Sequence, residues 1–245
     1  MDYRSYSLSR KEWGRGIAVA GAVTLVISYL FYASVWGLFV FPLLAVFFLR
    51  REKKAGKERM QAQLAKEFID ALRSISAALV AGFSMENAWK EAEKELLALY
   101  GAHGYLYREI KEMNHSVGLN ESLETLLTDF SERSGNMDIA SFAEVFSFAK
   151  RGGGNFVTII EATSNHMRAR YETEREIQVQ IASRKMEQKV MNVIPVFILA
   201  YLKLTSMDFL EVLYGNVAGA LFMTLCLAAY AGAIILAEKI MTIHV

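Results

Sequence analysis

Apolar positions fall into two patterns along this chain. Near each end they run without interruption, and between the ends they recur every three or four residues. From Gly16 to Leu49 there is no Asp, Glu, Lys or Arg. A hydrocarbon core about 30 Å thick takes roughly 20 apolar helical residues to cross. Ile17 to Ser34 therefore supplies one span and Trp36 to Leu49 most of a second, with Val35, Trp36 and Gly37 as the turn between them. Pro42 is expected to kink the second segment, and Trp36 and the Arg50-Arg51 pair to mark its two interfaces. One oddly long helix, or a signal peptide for the first segment, are the alternatives; no small-residue cleavage pattern supports the latter. A third apolar segment runs from about Val190 to Leu210 and a fourth from Val217 to Ala237.

Between these ends the period is helical. Leu64, Phe68, Leu72, Ile75 and Leu79 form one stripe, closed by Ala81-Gly82-Phe83. Ser84 is placed to cap a second helix carrying Ala88, Trp89, Ala92, Leu96 and Leu99, ended by Gly101 and Gly104. A shorter helix follows from about Tyr105 to Ser116, then a turn at Val117-Gly118-Leu119. Asn120 is expected to cap a helix with Leu123, Leu126, Leu127 and Phe130, broken at Ser134-Gly135-Asn136. Ile139, Phe142, Ala143, Phe146 and Ala149 mark a fifth helix, stopped by Gly152-Gly153-Gly154. Asn155 is expected to cap a long last helix with Phe156, Ile160, Thr163, Met167, Tyr171, Ile177 and Ile181 on one side. With no breaker before the third apolar segment, that helix is expected to run on into it and to be able to carry a displacement there.

Charge sharpens this division. The chain of 245 residues is 53% hydrophobic, and its 27 Lys and Arg nearly balance its 26 Asp and Glu. Of these 53 charges, 42 lie between Arg50 and Lys189. Arg4, Arg10, Lys11 and Arg15 precede the first span, and Arg50, Arg51, Lys53, Lys54, Lys57 and Arg59 follow the second. The first short connection has no cation; the second carries Asp208 and Glu211 beside Lys203 alone. The positive-inside rule then puts both termini and the middle of the chain in the cytoplasm. The expected organisation is a cytoplasmic segment 1–15, two spans in 16–50, a cytoplasmic helical domain 51–189, two spans in 190–240 and a cytoplasmic tail 241–245. The expected fold class is an all-α membrane protein, with a cytoplasmic helical bundle between two pairs of transmembrane helices. Lys203, toward the outer end of its span, is expected to snorkel to the interface, with a role in ion movement as the alternative.

Catalytic chemistry does not emerge. His103, His115, His166 and His244 have no metal-ligand spacing, and Cys226 is the single cysteine. Gly152-Gly153-Gly154 is followed by Asn155-Phe156 and lacks the Lys-Ser/Thr of a phosphate loop. Glu91, Glu93 and Glu95 alternate by two on a helix and point apart. A net charge of +1 offers nucleic acid no overall attraction. No enzyme, cofactor or metal is expected, and the basic run from Arg50 to Arg59 has topology as its simplest role, with anionic headgroups as a second. A transporter would want polar residues lining the spans, and only Lys203, Thr24, Ser28, Thr224 and Asn192 offer themselves.

Three stretches carry a resemblance: LVAGFSMENAW (Leu79 to Trp89), SLETLLTDFSERSGNMDIASFAEVF (Ser122 to Phe146) and KRGGGNFVTIIEATSNHMRAR (Lys150 to Arg170), with Pro195 entering the next span. Together they resemble the F-domain membrane proteins of type II secretion and type IV pilus systems, over roughly Gln61 to Val196, and the resemblance implies that the cytoplasmic bundle is an F domain. The nearest likeness is to the single-domain B or C platform proteins of tight-adherence (Tad, or Flp) pili. The resemblance implies a non-enzymatic inner-membrane platform that couples a cytoplasmic secretion ATPase to extraction of pilin from the bilayer. Larger relatives carry two tandem F domains. A single one here implies that a second F-domain subunit, or a second copy, supplies the other half. For an ATPase-facing surface the residues bordering the family-like turns are nominated: Arg73, Glu86, Arg133, Asp138, Lys150 and Arg168. Solvated faces and caps are the plain alternative for each. A transport or signalling protein with a cytoplasmic bundle is the competing function.

Overall fold

The computed structural model describes residues 2–32, 41–152, 156–205, 214 and 216–241. Their regular elements are all helical: α1 (Arg10–Ile27), continued by a π-helical turn (Ser28–Tyr32), α2 (Phe41–Val80), α3 (Met85–Tyr100), a 3-10 turn (Gly101–His103), α4 (Tyr105–Gly118), α5 (Leu123–Ser134), α6 (Met137–Gly152), α7 (Phe156–Thr205) and α8 (Val217–Met241). The expected turn at Val35 to Gly37, the breaker residues Gly153 and Gly154, the cap Asn155, and Asp208, Glu211 and His244 lie outside the described residues. The chain divides into two compact units, residues 1–7 with 53–174 and residues 8–52 with 175–245. Helices α2 and α7 each contribute to both.

The first unit is built on the predicted stripes. Leu64, Phe68, Leu72 and Ile75 of α2 are buried with Trp89 and Leu96 of α3, Leu106 and Ile110 of α4, Leu127 and Phe130 of α5, Phe142 and Phe146 of α6, and Ile160 of α7. Aromatic rings run through this core in sequence: Phe130 lies 6.4 Å from Phe68, Phe68 5.4 Å from Phe142, Phe142 5.8 Å from Phe146 and Phe146 5.4 Å from Phe156. Leu99 departs from its stripe and is 57% exposed.

Local chemistry explains most helix ends. Gly82, at φ +88, turns the chain after α2 while the Phe83 N–H donates to Ala78 and the Gly82 N–H to Leu79. Ser84 caps α3 by accepting from the Asn87 N–H. One cap differs from expectation. Asn120 adopts φ +66 within the turn, and Ser122 stands at the N-cap of α5. Asn136 closes the break before α6 by accepting from the N–H groups of Asp138 and Ile139. Asn120 serves the turn rather than the cap because a short amide side chain tolerates the left-handed conformation.

Residues 2–7 pack on this unit too. The Tyr3 ring is buried, 6.4 Å from Phe130, its N–H donates to the Arg133 carbonyl, and Tyr6 lies against Gly56.

Among the described residues of the second unit, two helices are long and apolar enough to cross a membrane, Arg10–Phe31 and Ala218–Ile240. Phe41 to Leu49 of the second expected span belong to the 40-residue α2, and the 50-residue α7 runs on into the third apolar segment, as the missing breaker led one to expect. Pro42 lies at the N-terminal end of α2, where a missing N–H breaks no bond, and Pro195 lies inside α7. Leu30, Phe31 and Met223 form a small core with Val196, Leu199 and Leu227 around it. Lys203 does not snorkel. It is buried, its ammonium donates to the Tyr29 carbonyl, and it sits 3.8 Å from the centre of the Tyr29 ring and 5.2 Å from that of Tyr214. The π-helical turn opens carbonyls to such outside donors, and the Tyr214 hydroxyl uses the next one, of Leu30, at 2.5 Å. Thr24 and Thr224 donate to the carbonyls of Ala20 and Ala220 one turn back in their own helices, rather than lining a polar path.

Candidate docking surface

The nominated residues all belong to the first unit and sit on five different helices, so their settings differ. Arg73, on α2, borders a shallow depression of about 350 Å³ shared with Lys66, Asp70, Glu95, Leu99 and Tyr100. Within it the Tyr100 hydroxyl donates to Asp70, and the Lys66 ammonium lies 5.8 Å from the centre of the Tyr100 ring. Burial first, and then this hydrogen bond, push the Tyr100 hydroxyl well above the ordinary tyrosine range. Arg73 itself has no ion pair among the described residues, and neither does Glu86, exposed in the first turn of α3. Both charges are left for solvent or a partner.

Asp138, Lys150 and Arg168 are each engaged at the surface. Asp138, in the first turn of α6, accepts from Arg170 of α7 at 2.9 Å. The two border a groove of about 320 Å³ with Glu58, Gln61, Met137 and Glu174 among its walls. Asp138 first, then Glu174, hold the Arg170 guanidinium above its usual range. Lys150 pairs with Glu124 at 3.2 Å; Ser122 first and Lys150 second hold that carboxyl below the usual carboxylate range. Arg168 pairs with Glu172 one turn on at 2.8 Å. Exposed pairs of this kind contribute about 0.2–1 kcal/mol and are readily exchanged for a partner's charges.

Arg133 is set differently. It makes two bonds to Glu109, of 3.1 and 2.9 Å, and one of 2.7 Å to Asp129. Glu109 is only 3% exposed and also accepts from the Tyr3 hydroxyl at 3.0 Å. These bonds, Glu109's foremost, raise the guanidinium above its usual range, and burial with the Glu109 charge raises the Tyr3 hydroxyl above its own. Arg133 thus ties α5 to α4 and to the N-terminal segment. Glu109, Arg170 and Tyr3 were not legible as site residues, because their partners are distant in the chain and share no spacing with them.

The surface therefore offers two unengaged charges, three lightly engaged ones and a mixed-charge groove, an arrangement suited to protein docking. Among the described residues no group of three or more His, Cys, Asp or Glu is placed to hold a metal ion. Residues 71–202 match the family model described as Type II secretion system (T2SS), protein F. This chain belongs to that family. The match takes in α3 to α6 whole, the end of α2 and most of α7, and so covers every nominated residue. No curated protein and no solved structure matches the chain. Proteins of the T2SS protein F family are non-catalytic membrane platforms of type II secretion and type IV pilus-type systems. The two apolar helices accord with an inner-membrane protein of that kind.

Proposed function

We propose that this chain is the inner-membrane platform of a tight-adherence (Tad/Flp-type) pilus or related secretion machine, coupling a cytoplasmic secretion ATPase to extraction and polymerisation of pilin. The family match over residues 71–202 carries this reading. In it, two pairs of spans, in 16–50 and 190–240, flank a cytoplasmic domain of 51–189, with both termini in the cytoplasm. Arg73, Glu86, Arg133, Asp138, Lys150 and Arg168 border the surface met by the ATPase. Arg73 and Glu86 are the best placed of these, since neither gives up an intramolecular ion pair on docking.

The pilin's apolar segment is the occupant assigned to a cleft of about 820 Å³ in the second unit, lined by Val26, Phe31, Phe47, Leu227 and Ile234 among others, with Arg50, Arg51 and Glu238 also on its walls. A second F-domain subunit or a second copy completes the platform. Charge reversal of Arg73 and Glu86 tests the reading: pili or secreted substrate should be lost while the chain still accumulates in the membrane. Normal assembly with both reversed, together with no co-purifying ATPase, would overturn it.

A further inference from the structure

One side of α6 packs into the core through Ile139, Phe142, Ala143, Phe146 and Ala149. Its other side is exposed without being a solvated charged face. Met137, Val145 and Phe148 are 81%, 43% and 75% exposed there. The same side carries one acid, Glu144, and one base, Arg151, and neither has an ion pair among the described residues. Among the described residues Arg151 hydrogen-bonds back to the carbonyl and hydroxyl of Ser147, at 3.3 Å each.

The spacing of these groups is self-complementary. Glu144 precedes Phe148 by four residues and Arg151 follows it by three, so all three share a face. At 1.5 Å per residue they lie about 6 Å to one side of Phe148 and about 4.5 Å to the other. A two-fold axis through Phe148, relating antiparallel copies of α6, sets the two Phe148 rings together at the centre. It brings Glu144 of each copy beside Arg151 of the other, and lays Val145 along the aliphatic stem of that arginine. A parallel pair would instead oppose like charges.

We infer that this face of α6 is a homodimer interface, on which a second copy of the same chain docks antiparallel about Phe148. The inference deepens the platform reading by naming the face used by its second copy, and it requires neither the ATPase nor pilin.

The test uses the full chain in native membranes, in a Cys226→Ser background. Phe148→Cys, oxidised with copper phenanthroline, is expected to give a covalent dimer at twice the chain's 27.5 kDa. Leu119→Cys, at a 66% exposed position outside α6, is expected to stay monomeric. Adding Glu144→Arg or Arg151→Glu should lower the cross-linked fraction about fivefold or more, and adding both should restore it. Val145→Cys serves as the reporter should Phe148→Cys fail to accumulate. The absence of a dimer, an adduct of another mass, or a dimer indifferent to the reversals overturns the proposal. Loss of secretion on deleting the chain bears on the platform reading alone, and the cross-link on the dimer alone, so the two fail separately.

Discussion

The Tyr3 hydroxyl donates to Glu109, 106 residues further along the chain, at 3.0 Å. Glu109 is simultaneously gripped by Arg133, so the carboxylate is buried only because two donors from separate parts of the chain meet it.

Replacing Tyr3 by Phe removes one of those donors and keeps the ring, and should cost about 1–2 kcal/mol of stability. The pH dependence gives a sharper check. The folded-state pKa of Tyr3 is raised, so its contribution is full below the unfolded value of about 10 and is lost as pH rises above that. Unfolding of the detergent-solubilised chain, followed by tryptophan fluorescence, should show a loss of stability above about pH 10 that is smaller in Tyr3→Phe. Equal alkaline sensitivity in both proteins would exclude this role.

Arg133→Ala strands Glu109 and should cost about 2–3 kcal/mol, discounted because the arginine is partly exposed. The chain should then accumulate poorly at 37 °C, and any loss of pili should follow its abundance. Arg73→Ala should leave thermal stability within about 0.5 kcal/mol, since no ion pair is lost. Immunoblots and melting curves of the two variants separate a structural from a docking role.

Glu67 caps a helix other than its own. The N-cap of α4 is Gly104, which has no side chain to cap with, and buried Glu67 of α2 accepts the Leu106 N–H at 2.7 Å in its place. Glu67→Ala should cost about 2–3 kcal/mol and Glu67→Gln, which keeps the acceptor, about 1 kcal/mol. Melting temperatures of the two variants in the same detergent provide the comparison; indistinguishable values would remove the cap.

A Cβ built at Gly56 would stand 2.3 Å from the Tyr6 ring, so Gly56→Ala should undock residues 2–7. Proteolysis near the N-terminus should become faster. In a Tyr6→Ala background the clash is gone, and the same change should stabilise by about 1 kcal/mol through helix propensity. A destabilising Gly56→Ala in both backgrounds would contradict this account.

Much of the first unit was legible because each of its helices buries one stripe. Leu64, Phe68, Leu72 and Ile75 announce α2 by spacing alone, and all four are buried. Gly82 and Ser84 likewise mark a helix end and a helix start through their own backbone and side-chain chemistry. Asn120 was misread because the same amide suits a cap or a left-handed turn. Lys203 was misread because periodicity gives the depth of a side chain along its helix and says nothing of the Tyr29 carbonyl waiting beside it.

By itself, then, the sequence determined the helices, most of their ends, the division between uncharged and charged stretches, and the resemblance that the family match upholds. These rest on local rules of period, capping and desolvation that act within a few residues. Only the tertiary structure decided which nominated charges are engaged. Arg133 and Lys203 are held by groups 24 and 174 residues away, and Glu67 caps a helix 39 residues on. Such partners meet through packing, which no spacing along the chain records.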